Sequence, residues 1–315
     1  MIPGTALHDG TRPSGLSASA QNALLYLTTV LIWGSSWLAI KFQLGYVDPM
    51  VSVAYRFLLA SGISWLYCGF SGRMMRFGLR DQGFMFLQGA SLFSLNYLLF
   101  YISELTLTSG LAAVIFSTIL VMNMLNGTIF LKNRIELRMI VAASLGLSGI
   151  VLLFWQEVND FETGSENLLA VAVALLATFL ASLGNIASAR NQRQGIPVVV
   201  ANTFGMTYGA LLMLGLSWLT GRKFTFEFSV PYVSSLVFLS VFASIIAFWT
   251  YLTLLGRVGV ERASYATLLF PLVALGISTV AEGYQWTVFG GTGILLILAG
   301  NLLIIKRSAR CTLRG

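Results

Sequence analysis

Several groups of side chains in this sequence have the types and spacing to recognise a small molecule, and none has the make-up to break a bond in one. Trp33, Ser35, Ser36 and Trp37 fall within one and a half turns of a helix, and Trp33 and Trp37, spaced i,i+4, share a face. Asn96 and Tyr97 are adjacent, with Tyr101 one turn on; Asn202, Thr207 and Tyr208 make a third group, and Asn185, Trp249 and Tyr251 add to it. Aromatic faces, amides and hydroxyls with few charges suit a neutral or zwitterionic organic solute. The same residues can instead pack helices together, since phenylalanine alone is 22 of 315 residues. For the Trp33–Trp37 pair, cavity lining and packing stand level.

Bond-making chemistry lacks its reagents. The single histidine, His8, lies in a polar N-terminal stretch, and the two cysteines, Cys68 and Cys311, are too isolated for a zinc site or a disulfide framework. There is no Gly-rich phosphate loop ending in Lys-Ser/Thr, so no cofactor, no metal and no ATP hydrolysis are expected. Arg56 stands out among the charges. It lies about seven residues beyond Pro49, hence ~10 Å along a helix, and a guanidinium at that depth must face protein, water or the headgroups. It can tether helix ends, line an outer vestibule that draws in carboxylates, or snorkel. Lys41 reads as an anchor or local ion-pair partner. Pro271 predicts a kink, with a gating role open. Glu104 and Glu282 fall near segment ends, so facilitated diffusion, or coupling through carbonyls and hydroxyls, ranks above carboxylate-based proton antiport.

The elements that position these groups are membrane spans. The chain is 57% hydrophobic and 10% charged, against about 25% charge in soluble domains. Apolar runs of the ~20 residues that cross a bilayer fall near 22–43, 49–70, 82–103, 107–131, 136–155, 167–189, 197–220, 231–255, 262–281 and 286–306. Pro49, Pro197 and Pro231 sit near starts, where a missing N–H costs nothing. Residues 1–21 lack the basic and apolar regions of a cleavable signal and read as a tail; 156–166 is an acidic loop, and 307–315 a basic tail.

Charge sets the orientation. Of 19 Lys and Arg, 15 fall in the tails and the loops after even-numbered spans, and only Lys41, Arg222 and Lys223 fall in loops on the other side. Glu157, Asp160, Glu162 and Glu166 cluster opposite the basic loops. The positive-inside rule puts both termini in the cytoplasm, and this distribution argues against nucleic acid as the reason for the +7 net charge.

The chain also repeats itself. Segments 109–153 and 262–304 match at a spacing of about 150 residues, with Gly149 against Gly300 and Tyr101 against Tyr251. Five spans per half is odd, so the second half enters the membrane inverted. The fold expected is an all-α membrane protein of ten transmembrane helices in two inverted five-helix repeats, 22–155 and 167–306, an architecture of secondary transporters.

Particular motifs sharpen this. Trp33-Gly34-Ser35-Ser36-Trp37-Leu38-Ala39-Ile40-Lys41, Arg56 in span 2, Leu105–Ala113, Phe270-Pro271 and Glu282 resemble the EamA-domain proteins of the drug/metabolite transporter superfamily, over nearly all of 24–306. Ile119 and Leu120 depart from the usual proline, and Lys132-Asn133-Arg134 from a glycine–glutamate–arginine turn. The resemblance implies a ten-helix carrier with a central cavity, its fourth, fifth, ninth and tenth helices largely peripheral, and outward movement of small metabolites, often amino acids.

The expectation is therefore an inner-membrane secondary transporter or facilitator. Its candidate substrate contacts are Trp33, Ser36, Trp37, Asn96, Tyr97, Tyr101, Asn202, Tyr208 and Trp249, with Arg56 and Lys41 as vestibule or structural charges. A nucleotide-sugar carrier is the rival within the fold, although phosphate cargo calls for more buried cations than Arg56. A receptor or scaffold would need longer loops, and an intramembrane enzyme would need converging His, Asp or Cys. Membrane lipid and a small-molecule substrate are the partners expected. The small-residue face Ala142, Gly146 and Gly149, with Gly293 and Gly300, can join the two halves or mediate a homodimer.

Overall fold

The computed structural model describes residues 17–43, 47–73, 76–281 and 287–311; within them the side chains of Trp37, Leu38, Lys41, Ser109, Ser278, Ala281 and 305–311 are not described. Glu282 and both sequence termini lie outside. The described chain is all-helical. Its long helices are α1 (Ala18–Lys41), α2 (Pro49–Phe70), α3 (Leu79–Glu104), α4 (Gly110–Leu131), α5 (Leu137–Leu153), α6 (Ser165–Arg193), α7 (Val198–Leu219), α8 (Val230–Val258), α9 (260–281) and α10 (Val288–Cys311). Among the described residues α2, α3, α4, α6, α7, α8 and α9 are long and apolar enough to cross a bilayer, and Leu137–Leu153 and Val288–Ile304 are shorter apolar helices. This is a multi-pass membrane protein.

Local chemistry sets the ends. Asp48 caps α2, its Oδ1 accepting from the Met50 N–H at 2.9 Å, with Pro49 as the first helical residue. Thr108 caps the next helix through the Leu111 N–H at 3.2 Å, closing the short turn that makes α3 and α4 antiparallel. Lys132 ends α4 in the left-handed region, φ 57°, and its N–H returns to the Gly127 carbonyl.

Three interruptions matter more than the caps. Residues Ser91–Leu95 of α3 and Leu239–Ile246 of α8 are π-helical, and Ser264–Leu269 of α9 is a 3-10 stretch just before Pro271. Such turns change which side chains share a face and release carbonyls from the usual ladder. The π segments fall in α3 and α8.

In packing, α10 lies along α5, α7 lies between α2 and α3, and α1 contacts α8 and α9 much as α6 contacts α3 and α4. The α5–α10 seam is backbone against backbone. A Cβ on Gly149 would stand 2.6 Å from the Gly293 carbonyl oxygen, and one on Gly293 as close to that of Gly149. The small-residue faces thus meet each other within the chain, joining α5 to α10. Asn123 and Asn126 of α4 also bond across helices, to Ser264 Oγ at 2.6 Å and Ser182 Oγ at 2.8 Å. The buried core runs between these helices, with Phe57, Leu92, Phe93, Met206, Tyr251 and Leu252 in its largest cluster.

Candidate functional site

A cavity of about 330 Å³ opens among the helices and reaches their ends at Gln43, Pro49 and Glu104, on the side of the acidic 156–166 loop. Trp33 and Ser36 enter it from α1, Arg56 from α2, Asn96, Tyr97 and Tyr101 from α3, and Pro271 from α9. Asn202, Tyr208 and Trp249 do not line it. The side chains of Trp37 and Lys41 lie outside the described residues. The fourth and ninth helices are not peripheral here: Ala112, Phe116 and Ser117 of α4 and Thr267 and Phe270 of α9 are in the wall, α4 packing against α6 and α9 against α1. The fifth contributes Ile150 alone.

Arg56 is buried, with 6% of its surface exposed. Its Nε donates to Ser244 Oγ at 2.8 Å, and its guanidinium carbon lies 5.3 Å from the Phe57 ring centre and 5.4 Å from that of Tyr97. Among the described residues no carboxylate lies within ion-pair range, and its terminal nitrogens bond to no protein atom there. A cation held by one hydroxyl and two ring faces retains donors for an anion in the cavity, where a low local dielectric strengthens the attraction. The π segment of α8 makes this hold possible. It carries Ser244, and its Ala243 carbonyl accepts the Trp33 indole N–H at 2.9 Å.

Trp33 sits among Phe248, Tyr251 and Phe270, at centroid distances of 4.8, 5.3 and 5.2 Å. The tryptophan therefore both packs and lines. Gly34 allows this close approach, since a Cβ there would collide with Val273 of α9. At the floor, Asn185 Nδ2 donates to the Tyr251 hydroxyl at 3.3 Å and to Asn123 Oδ1 at 3.4 Å. The Oδ1 atoms of Asn96 and Asn185 and the Nε2 of Gln43 are buried without a partner. All three residues line the cavity, and an unpaired buried polar atom costs about 1–3 kcal/mol, a cost that a solute or water bonding there removes. Glu104 is the one carboxylate of the lining among the described residues.

The other sequence candidates serve the opposite end of the bundle. Asn202 Oδ1 accepts from Gln88 Nε2 at 2.8 Å, and Gln88 Oε1 accepts from Asn191 Nδ2 at 3.1 Å, tying α3, α6 and α7. Tyr208 donates to Gln82 Oε1 at 2.7 Å, and Arg190 pairs with Asp81 at 2.6 Å. Trp249 is 41% exposed on the outer side of α8. Its neighbours Phe248 and Tyr251 face inward, and the i,i+3,i+4,i+7 spacing of Phe248, Tyr251, Leu252 and Leu255 is the signal that would have added Phe248 and set Tyr251, named in the sequence beside Trp249, above it. Gln43, Glu104 and Phe116 were not among the candidates either; nothing in their local sequence marks them.

A model of the EamA-like transporter family matches residues 21–155 and again 168–306. The chain belongs to that family. This EamA-like protein is accordingly a membrane transporter of small metabolites and not an enzyme. It is 22% identical to Protein PagO of Salmonella typhimurium over 293 residues, 93% of this chain and 95% of that one. It is 23% identical to a protein of the same organism named as a probable amino-acid metabolite efflux pump, over 306 residues, 93% of this chain and 99% of the other. A solved crystal structure covers 95% of the chain, all of its own length, with a TM-score of 0.77 and 18% identity. That likeness bears on the fold.

Proposed function

We propose that this EamA-like transporter is a secondary carrier or facilitator of the inner (plasma) membrane, moving amino acids or related small solutes outward by alternating access. Ten spans would form two inverted five-helix halves, 22–155 and 167–306, with both termini in the cytoplasm. Support for the inversion comes from the packing. Exchanging the halves turns the α1–α8 contact into α6–α3, α1–α9 into α6–α4, and α2–α8 into α7–α3, while α2–α7 and α5–α10 map onto themselves. The double match to one family model and the paired π segments favour the same reading. The basic loops then mark the cytoplasmic face.

The observation that carries the solute assignment is Arg56 in the cavity wall, without a carboxylate partner among the described residues and surrounded by unpaired amide atoms and aromatic rings. A guanidinium suits a carboxylate; Asn96 and Asn185 oxygens, with Glu104 at the mouth, suit an ammonium; the rings suit an apolar side chain. A single buried guanidinium gives little support for phosphate-rich cargo such as a nucleotide sugar. The name of the 23%-identical relative points the same way.

The test is uptake and counterflow in proteoliposomes with labelled aromatic, aliphatic and cationic amino acids, with and without a pH gradient. Saturable counterflow of one class is expected. No flux of any member by folded protein would sink the amino-acid reading and bring nucleotide sugars forward.

A further inference from the structure

A second hollow, about 480 Å³, lies at the opposite end of the bundle, among the basic loops. It is lined from α4 and its C-terminal turn (Leu131, Asn133), α6 (Ala189, Gln192, Arg193), α8 (Thr253, Leu255, Arg257) and the start of α9 (Val260). Two relations connect it to the cavity of Arg56. The first is distance. Asn185 and Tyr251 form the floor of the outer cavity, while Ala189 and Leu255, four residues on along the same two helices, line the inner hollow. Four residues of helix are about 6 Å. The second is symmetry. Besides α2, the outer cavity draws its walls chiefly from α1, α3, α4 and α9, whose counterparts under exchange of the halves are α6, α8, α9 and α4. Those four helices line the inner hollow.

We propose that the inner hollow is the entry site of the same path, for the same solute class, and that one layer of side chains separates it from the outer cavity. The layer is Asn123, Asn185, Tyr251 and Ser264, linked by hydrogen bonds of 2.6 to 3.4 Å and backed by Leu252 and Leu255. On the hollow's own side Gln192 Nε2 donates to the Leu252 carbonyl at 2.9 Å, and Arg193 bonds the Leu131 carbonyl at 3.0 Å and Asn133 Oδ1 at 2.9 Å. Asn133 Nδ2 in turn donates to Glu261 Oε1 at 2.6 Å. These ties hold the ends of α4, α6 and α8 and the start of α9 together, and they must part for the hollow to widen. Thr253 Oγ1, in its wall, is buried without a partner. The inference rests on the carrier reading above, and its test needs no known substrate.

The test uses two thiol reporters in a Cys68→Ser, Cys311→Ser background: Ala113→Cys in the outer wall and Ala189→Cys in the inner. A membrane-impermeant sulfonated maleimide is applied to right-side-out and inside-out vesicles. Ala113→Cys should react only from the acidic-loop side and Ala189→Cys only from the basic-loop side. In the double variant, a bulky maleimide fixed at residue 189 should slow labelling at 113 at least ten-fold, because one path cannot open at both ends. Tyr251→Ala, or Asn185→Ala where the first does not fold, should let residue 189 react from both sides. Independent labelling rates, or a floor that stays sealed in a folded variant, overturn the proposal. Counterflow with independent labelling would defeat this inference alone; reciprocal labelling with no flux of any amino acid would defeat the solute reading alone.

Discussion

The two ends of the bundle handle buried polarity in opposite ways. Around Arg56 the protein leaves groups open: terminal guanidinium nitrogens, the Asn96 and Asn185 oxygens, the Gln43 amide. Around Gln88 it ties most of them to one another, Asn191 to Gln88 to Asn202, with Arg190 on Asp81 close by, and leaves the Asn202 Nδ2 of that network unpaired. A closed network specifies a structure, whereas open donors and acceptors in a cavity wall specify a visitor. Burial and residue type are alike at the two ends, so the difference lies in how many of the groups have a protein partner and in whether the unpaired ones line the outer cavity.

That contrast can be broken by substitution. Arg56→Ala should have the largest effect, lowering counterflow of the carried solute roughly ten- to a hundred-fold, in line with the ~1.5–3 kcal/mol of a hydrogen bond to a charged group. Unaltered flux would make Arg56 a packing residue. Gln88→Leu should instead act on stability, by about 2 kcal/mol, because it orphans buried amide atoms of Asn191 and Asn202. Thermal unfolding in detergent measures this, and a change confined to solute affinity would erase the distinction between the ends. Ser244→Ala removes the hydroxyl that accepts from the Arg56 guanidinium and should raise the half-saturating concentration about ten-fold, near the ~1.5 kcal/mol low end for a hydrogen bond to a charged group, with Arg56 charge intact. Trp249→Leu, on the exposed side of α8, should stay within about 0.5 kcal/mol in stability and leave counterflow alone. A transport defect there would put an eighth-helix aromatic back in the path.

The helices were legible in sequence nearly to their ends: the expected span 197–220 is helix Val198–Leu219, and 231–255 is Val230–Val258. Hydrophobic length and proline placement decide such bounds. The site was legible in part. Trp33, Ser36, Arg56, Asn96, Tyr97, Tyr101 and Pro271 line the cavity, while Asn202 and Tyr208 satisfy neighbours elsewhere. Sequence marks a polar residue as needing a partner but not which partner it finds. Trp249 has a different cause. It was named as an aromatic within span 231–255, and residue type alone does not say which side of a helix a ring takes; the π segment Leu239–Ile246 just before it turns the downstream face by about 100° per inserted residue.

The 3-10 stretch Ser264–Leu269 has a further consequence. A 3-10 turn rises about 2.0 Å per residue against 1.5 Å in an α-helix. Rewinding those six residues as α-helix would shorten α9 by about 3 Å. The segment begins at Ser264, in the layer between the two hollows, and ends beside Phe270 and Pro271 in the cavity wall. Since Pro271 has no N–H to offer the Thr267 carbonyl, the stretch is held open at its far end. The ninth helix thus carries a reserve of travel, already extended, between the floor of the cavity and its side.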